Sequence, residues 1–122
     1  MKDHPLILSV SFDRELLETR ELLFQSVGYE VSSTARVAQA VELVRLQKFD
    51  LIVLGHSLGI DRERLIADLQ KVTSAPILAL HKEYGVSLKN VRNLFSMHPP
   101  DLLKAARETM DGSAWELAVG SK

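Results

Sequence analysis

At 122 residues and 13.6 kDa, with 46% hydrophobic and 25% charged side chains, the chain is sized for one globular domain; this composition excludes disorder and fibre, and no separate effector module is expected. Cysteine is absent, which excludes disulfides, thiolate metal sites and cysteine nucleophiles, and fifteen basic against sixteen acidic side chains (net −1) give no electrostatic reason to expect nucleic acid. No apolar run approaches the ~20 residues of a membrane span, and the short run behind the N-terminus ends at Asp13, so neither a membrane partner nor a secretory signal is expected and the expected location is the cytoplasm.

Leu6 to Val10 is a short, nearly continuous apolar run, the pattern of a strand buried on both faces. Asp13 then stands at a helix N-cap, Leu16, Leu17, Leu23, Phe24 and Val27 form a broad helical face, and Gly28 ends it as a C′ glycine. Tyr29 to Ser33 alternates as a more exposed strand, and Val37, Ala40, Val41 and Val44 follow the spacing of a second helix. Leu51 to Leu54 gives the strongest buried-strand signal, stopped by Gly55, and a loop with Gly59 runs from Ser57 to Ile60. Asp61 is expected to cap a helix whose apolar face is Leu65, Ile66, Leu69 and Val72. Ser74-Ala75-Pro76 breaks it, and Ile77 to Leu80 is a fourth strand. Between His81 and Met97 the signals are weak: Gly85 interrupts, Val86 to Val91 has room for one or two helical turns, and Val91 to Phe95 suits a short fifth strand. Pro99-Pro100 opens a final helix carrying Leu102, Leu103, Ala106 and Met110, closed by Asp111-Gly112-Ser113, with Trp115 in the tail.

Strands alternating with helices of about a dozen residues predict an α/β fold, a doubly wound five-stranded parallel sheet with helices on both faces. Ligands in such sheets sit beyond the carboxyl ends of the strands, so the informative residues are Ser11, Phe12 and Asp13, then Gly55 and His56, then His81 and Lys82, then His98 and Pro99.

Residues 6 to 110 resemble the receiver domain of bacterial two-component response regulators, the CheY-like family with a flavodoxin-like (βα)5 fold. The resemblance rests on the order and spacing of Ile-Leu-Ser-Val-Ser-Phe-Asp (7–13), Gly-Tyr-Glu-Val (28–31), Phe-Asp-Leu-Ile-Val-Leu (49–54), Ala-Pro-Ile-Leu-Ala-Leu (75–80) and His-Pro-Pro-Asp-Leu-Leu (98–103). It implies a receiver-like domain over 1–110 with a C-terminal tail over 111–122, and a shortened fourth helix or fifth strand. In that family an acidic pair after the first strand and an aspartate ending the third hold Mg²⁺. The last of these accepts a phosphoryl group, stabilised by a Ser or Thr after the fourth strand and a Lys after the fifth. Here the acidic-pair positions carry Ser11 and Phe12, with only Asp13 following; the acceptor position carries Gly55, the hydroxyl position His81 and the lysine position His98. Phe95 falls at the family's switch-aromatic position. The resemblance therefore implies a degenerate pseudo-receiver with neither metal ligands nor a phosphoacceptor.

His56, His81 and His98, with Asp13, fall at neighbouring strand ends, so a His-rich metal site or a pH-sensing cluster stands beside the bland alternative. In that alternative His81 and His98 fill the space of the lost ligands and His56 faces solvent. Gly55-His56-Ser57-Leu58-Gly59 also matches the Gly-x-Ser-x-Gly nucleophile elbow directly after a strand, although the chain is too short for the rest of such a hydrolase. Arg62-Glu63-Arg64, with Arg45, Lys48 and Lys71, reads as a solvated helix surface. The expected function is that of a stand-alone atypical receiver, not an enzyme. It would need no cofactor and would signal by phosphorylation-independent contact with a histidine kinase, another regulator or a second copy. A small metal-dependent or serine hydrolase-like enzyme using the histidine cluster or Ser57 is the alternative.

Overall fold

Apolar runs of four or five residues are long enough to cross a sheet but too short for a helix, and each becomes a strand. A computed structural model describes residues 4–82 and 87–112. The strands are β1 (Leu6–Val10), β2 (Glu30–Thr34), β3 (Leu51–Leu54), β4 (Ile77–Leu80) and β5 (Arg92–Leu94), and the helices are α1 (Arg14–Gln25), α2 (Val37–Leu46), α3 (Asp61–Val72) and α4 (Pro99–Asp111). All strand pairs are parallel, in the order β2-β1-β3-β4-β5. That order reverses direction between β1 and β3, which sets the crevice where sheets of this type bind ligands beside the carboxyl ends of those two strands.

Period-two alternation divides the core in two. Leu8, Val10, Ile52, Leu54, Ile77 and Ala79 face α2 and α3, packing on Ala40, Val44, Leu65, Ile66 and Leu69. Ile7, Leu51, Val53, Leu78 and Leu80 face α1 and α4, against Phe24, Leu102, Ala105 and Ala106.

Helix ends follow local chemistry. The Asp13 carboxylate accepts from Leu16 N at 3.1 Å and caps α1. At the other end Tyr29 N donates to Phe24 O (3.1 Å) and Gly28 N to Gln25 O (3.0 Å), a Schellman closure that Gly28 permits with φ +94°. At α3 the expectation is corrected: Ile60 occupies the cap position without a side-chain bond, and Asp61 is the first helical residue. The reason is the 3₁₀ turn His56–Leu58 and the Gly59 bend, which reverse the chain early enough for Arg62 N to bond Gly59 O. Asp61 and Glu63 there complement the helix dipole instead.

β5 is shorter than 91–95. Among the described residues no helix lies between β4 and β5; Lys89 and Asn90 form a turn with Asn90 at φ +65°. Gly85 and Trp115 lie outside the described residues. No helix among the described residues is long and apolar enough to cross a membrane.

Phe24 is fully buried, with its ring centroid 6.2 Å from that of Tyr29. Phe24→Ala should cost about 3–5 kcal/mol in urea unfolding, with the midpoint falling at unchanged slope.

Candidate functional site

The residues that follow β1 and β3 continue the parallel ladder by one step, with Ser11 N bonding Thr34 O at 3.2 Å and Gly55 N bonding Val10 O at 2.9 Å. Ser11 therefore lies beside Gly55 on the α1/α4 side of the sheet. Ser11 is fully buried; its Oγ accepts from Asp13 N at 3.1 Å and meets Ser57 Oγ at 2.9 Å. Ser57 Oγ in turn accepts from Phe12 N at 3.0 Å, and the Phe12 ring is 44% exposed. Asp13, the acid that follows β1, is committed to its helix cap.

Gly55 has φ −76° and ψ 160°, a conformation open to any residue, so backbone strain does not explain the glycine. Space does. A Cβ added here would lie 3.0 Å from Ser11 Cβ, 3.0 Å from Ser11 Oγ and 3.0 Å from Arg20 Nη1. A guanidinium delivered by α1 occupies the volume into which a side chain at this position would project. Arg20 is only 4% exposed, and its buried Nη1 has no hydrogen-bond partner. Burial pushes its pKa down, opposed by the Asp13 carboxylate, but an arginine keeps its charge.

A second buried arginine reaches Gly55 from α3. Arg62 Nη1 donates to Leu80 O at 2.6 Å and Gly55 O at 3.3 Å, and Nη2 donates to His81 Nδ1 at 3.2 Å. Arginine can only donate, so His81 Nδ1 accepts and the ring proton sits on Nε2, which donates to Asn93 Oδ1 at 2.6 Å. Asn93 Oδ1 also accepts from Leu88 N, and its amide donates to Leu88 O and Val91 O. The His81 ring stacks on Phe95, centroids 4.5 Å apart and planes at 19°. One polar chain thus runs from β3 through α3 and β4 to β5 and the turn before it, with Phe95 stacked on its histidine.

The expected sites sort unevenly. His81 is buried, whereas His98 is exposed at the start of α4 and fills no space inside the sheet end. His56 is half-buried rather than turned to solvent, with its Nδ1 buried and unpartnered. Burial lowers its pKa most, and the charges of Arg20, Lys82 and Arg62 add to this, against Asp13. Among the described residues no three His, Asp or Glu side chains gather where they could hold a metal ion. Ser57 bonds Ser11 and Phe12 rather than an imidazole, and its φ is not positive, so the strained turn of a nucleophile elbow is missing. Arg62 overturns the expectation of a solvated surface: it is 8% exposed. Arg20 and Asn93 were not singled out from the sequence, and Arg62 was read only as surface. The signal lay in spacing, since at 100° per residue Arg20 falls in the middle of the face formed by Leu16, Leu17, Leu23, Phe24 and Val27, and Arg62 in the middle of that of Leu65, Ile66 and Leu69.

No protein-family model matches the chain, and no curated protein matches it. Solved structures do. The signal receiver domain of an HD domain-containing protein from Pseudomonas fluorescens superposes with TM-score 0.79 at 20% identity, over 95% of this chain and 93% of that one. A CheY-like response regulator receiver domain from Methanospirillum hungatei gives 0.77 at 18%, over 93% and 98%. The receiver domain of a sensor histidine kinase from Pseudomonas aeruginosa, with a magnesium ion coordinated in its active-site cleft, gives 0.68 at 21%, over 88% and 98%. The chain has the fold of CheY-like receiver domains.

Gly55→Ala should destabilise by about 1–3 kcal/mol in chemical unfolding, because Arg20 can withdraw its flexible end but Ser11 Cβ, fixed on the neighbouring strand, cannot. His81 should make stability pH-dependent. Burial holds its pKa below the ordinary 6.5, with Arg62 adding to the lowering and the Asn93 bond opposing it. A histidine depressed in the folded state contributes stability above its unfolded pKa and loses it as pH falls through the folded value. Urea midpoints should therefore fall on acidification below about pH 6.5, and His81→Gln should flatten that slope.

Proposed function

We propose that this chain is a signalling domain of receiver fold that takes no phosphoryl group on an aspartate and acts by docking a protein partner. The observation that carries this is the Gly55 position: it offers no carboxylate, and the space a carboxylate would need holds the Arg20 guanidinium. In a receiver of the expected kind, carboxylates around a divalent cation neutralise the incoming phosphoryl charge. Here the one matching acid, Asp13, is bonded to its helix cap and the cation is covalently part of α1, so neither metal binding nor acyl phosphate formation has the groups it needs. Ser11 and Ser57 carry hydroxyls at this end, but each is held by the other.

What remains for signalling is surface. Phe12 (44% exposed), Ile60 (92%) and Met97 (43%) place apolar side chains on the loops after β1, β3 and β5, all at the carboxyl end of the sheet. Lys104 and Arg107 are exposed on α4, whereas Glu108 is half-buried and paired with Arg92 at 3.2 Å. A cytoplasmic histidine kinase, another regulator or a second copy of the chain are the partners this reading admits.

Acetyl phosphate, or beryllofluoride, with Mg²⁺ should leave the amide NMR spectrum of the protein unchanged. Shifts centred on Ser11, Gly55 and His81 would show an intact phosphoryl site and sink the proposal. Capture of a partner by the wild-type chain should be unaffected by the phosphodonor and weakened by Phe12→Ser.

A further inference from the structure

The polar chain across the carboxyl end joins elements that docking alone does not require to be joined. Arg62 belongs to α3, His81 follows β4, Asn93 lies on β5 and Phe95 just beyond it. Arg62 is two residues from the exposed Ile60, and Phe95 is two residues from the exposed Met97. The His81 ring therefore couples the segments that carry these two apolar side chains.

His81 is buried, and it is the member of the chain whose charge can change in the ordinary pH range. As a neutral ring it accepts from Arg62 Nη2 at Nδ1 (3.2 Å) and donates from Nε2 to Asn93 Oδ1 (2.6 Å). An imidazolium has two N–H donors and no acceptor, so no rotation of the ring can restore the Arg62 bond. The contacts toward β5 all survive protonation: His81 N donates to Leu94 O (2.8 Å), Nε2 still donates to Asn93, and the Phe95 face gains a cation. Arg62 keeps Leu80 O and Gly55 O on Nη1, bonds in which the imidazole has no share. Protonation thus cuts the chain between α3 and the ring.

The surrounding charges act in the same sense. Arg62 faces the ring from α3, whereas β5 presents the neutral Asn93 and Phe95, and Arg92 of that strand is paired with Glu108. Arg20 of α1 and Lys82 add positive charge at this end, where His56 also titrates, and Asp13 is bonded to its helix cap. Burial, with Arg62 adding and the Asn93 bond opposing, holds the pKa of the closed ring below 6.5. A ring parted from Arg62 and hydrated returns toward that value, so the open form binds the proton more tightly and acid favours it. For each pH unit between the two pKa values the closed-to-open ratio falls by up to about ten-fold.

We propose that His81 is a proton-operated joint: neutral, it ties α3 to β5; protonated, it releases α3 from β5 with the sheet still folded, and Ile60 moves relative to Met97. The joint stands on hydrogen bonding alone, and its effect on partner binding rests on the docking reading above.

Amide and imidazole nitrogen NMR of the full chain, from about pH 7.5 to about pH 5, tests this. At the upper end Nδ1 should carry no proton. On acidification the amides of Ile60, Arg62 and Met97 should shift with the His81 ring at one midpoint below 6.5, while those of Leu8 and Ile52 in the core stay in place. His81→Gln keeps a donor and an acceptor but cannot titrate, so it should abolish the shift at all three amides. Arg62→Gln removes the opposing charge and should raise the midpoint of the ring toward 6.5. A proton on Nδ1 at the upper end, or Ile60 and Met97 amides that do not follow the ring, would overturn the proposal. So would core amides that shift with them, an unchanged midpoint in Arg62→Gln, or a shift that persists in His81→Gln and so belongs to His56. No partner enters these measurements, so the joint and the docking reading can fail separately.

Discussion

Where β3 ends, a backbone without a side chain meets two arginines that have no carboxylate bonded to them, and the arrangement of the whole carboxyl end follows from how those charges are housed. A guanidinium taken from water must have its donors satisfied or leave a standing cost. Arg62 meets most of that demand: Leu80 O and Gly55 O accept from Nη1 and His81 Nδ1 from Nη2, while its buried Nε has no partner. Arg20 meets it only in part, which keeps an unspent donor beside Gly55. The glycine is a consequence of this packing, since any side chain at 55 would enter the volume that Arg20 and Ser11 already fill. Local charge at this end is thus positive within a chain whose overall balance is near zero.

The fold was legible in the sequence because parallel strands covered on both faces cannot hide. Leu51 to Leu54 and Ile77 to Leu80 are apolar at every position since each side chain meets a helix, and no other buried element is that short. Helix faces were legible for the same reason, and Asp13 announced its cap. Arg20 and Arg62 were not, because charge is read as exposure unless its place on the helix wheel is weighed. Both sit at the centre of apolar faces, and a long aliphatic stem lets an arginine take such a place while its head finds polar ground. His98 failed for the opposite reason: the register after β5 suggested an inward residue, but the turn held by Ser96 and the two prolines leaves it exposed at the start of α4.

The three-residue β5 has little of its own to hold it in the sheet, and no helix among the described residues packs before it. Its position is fixed by side chains. Asn93 ties it to Leu88 and Val91 on one side and to His81 on the other, and Phe95 just beyond it lies flat on the His81 ring. His81 can serve both neighbours only while it is neutral, because a proton on Nδ1 would face Arg62 Nη2 donor to donor. The same arginine that anchors the end of β3 therefore sets the protonation state on which the fifth strand depends. Neutral side chains and one cation, Arg62, make the link between the end of β3 and Phe95, so it yields to acidification or to whatever draws Arg62 away.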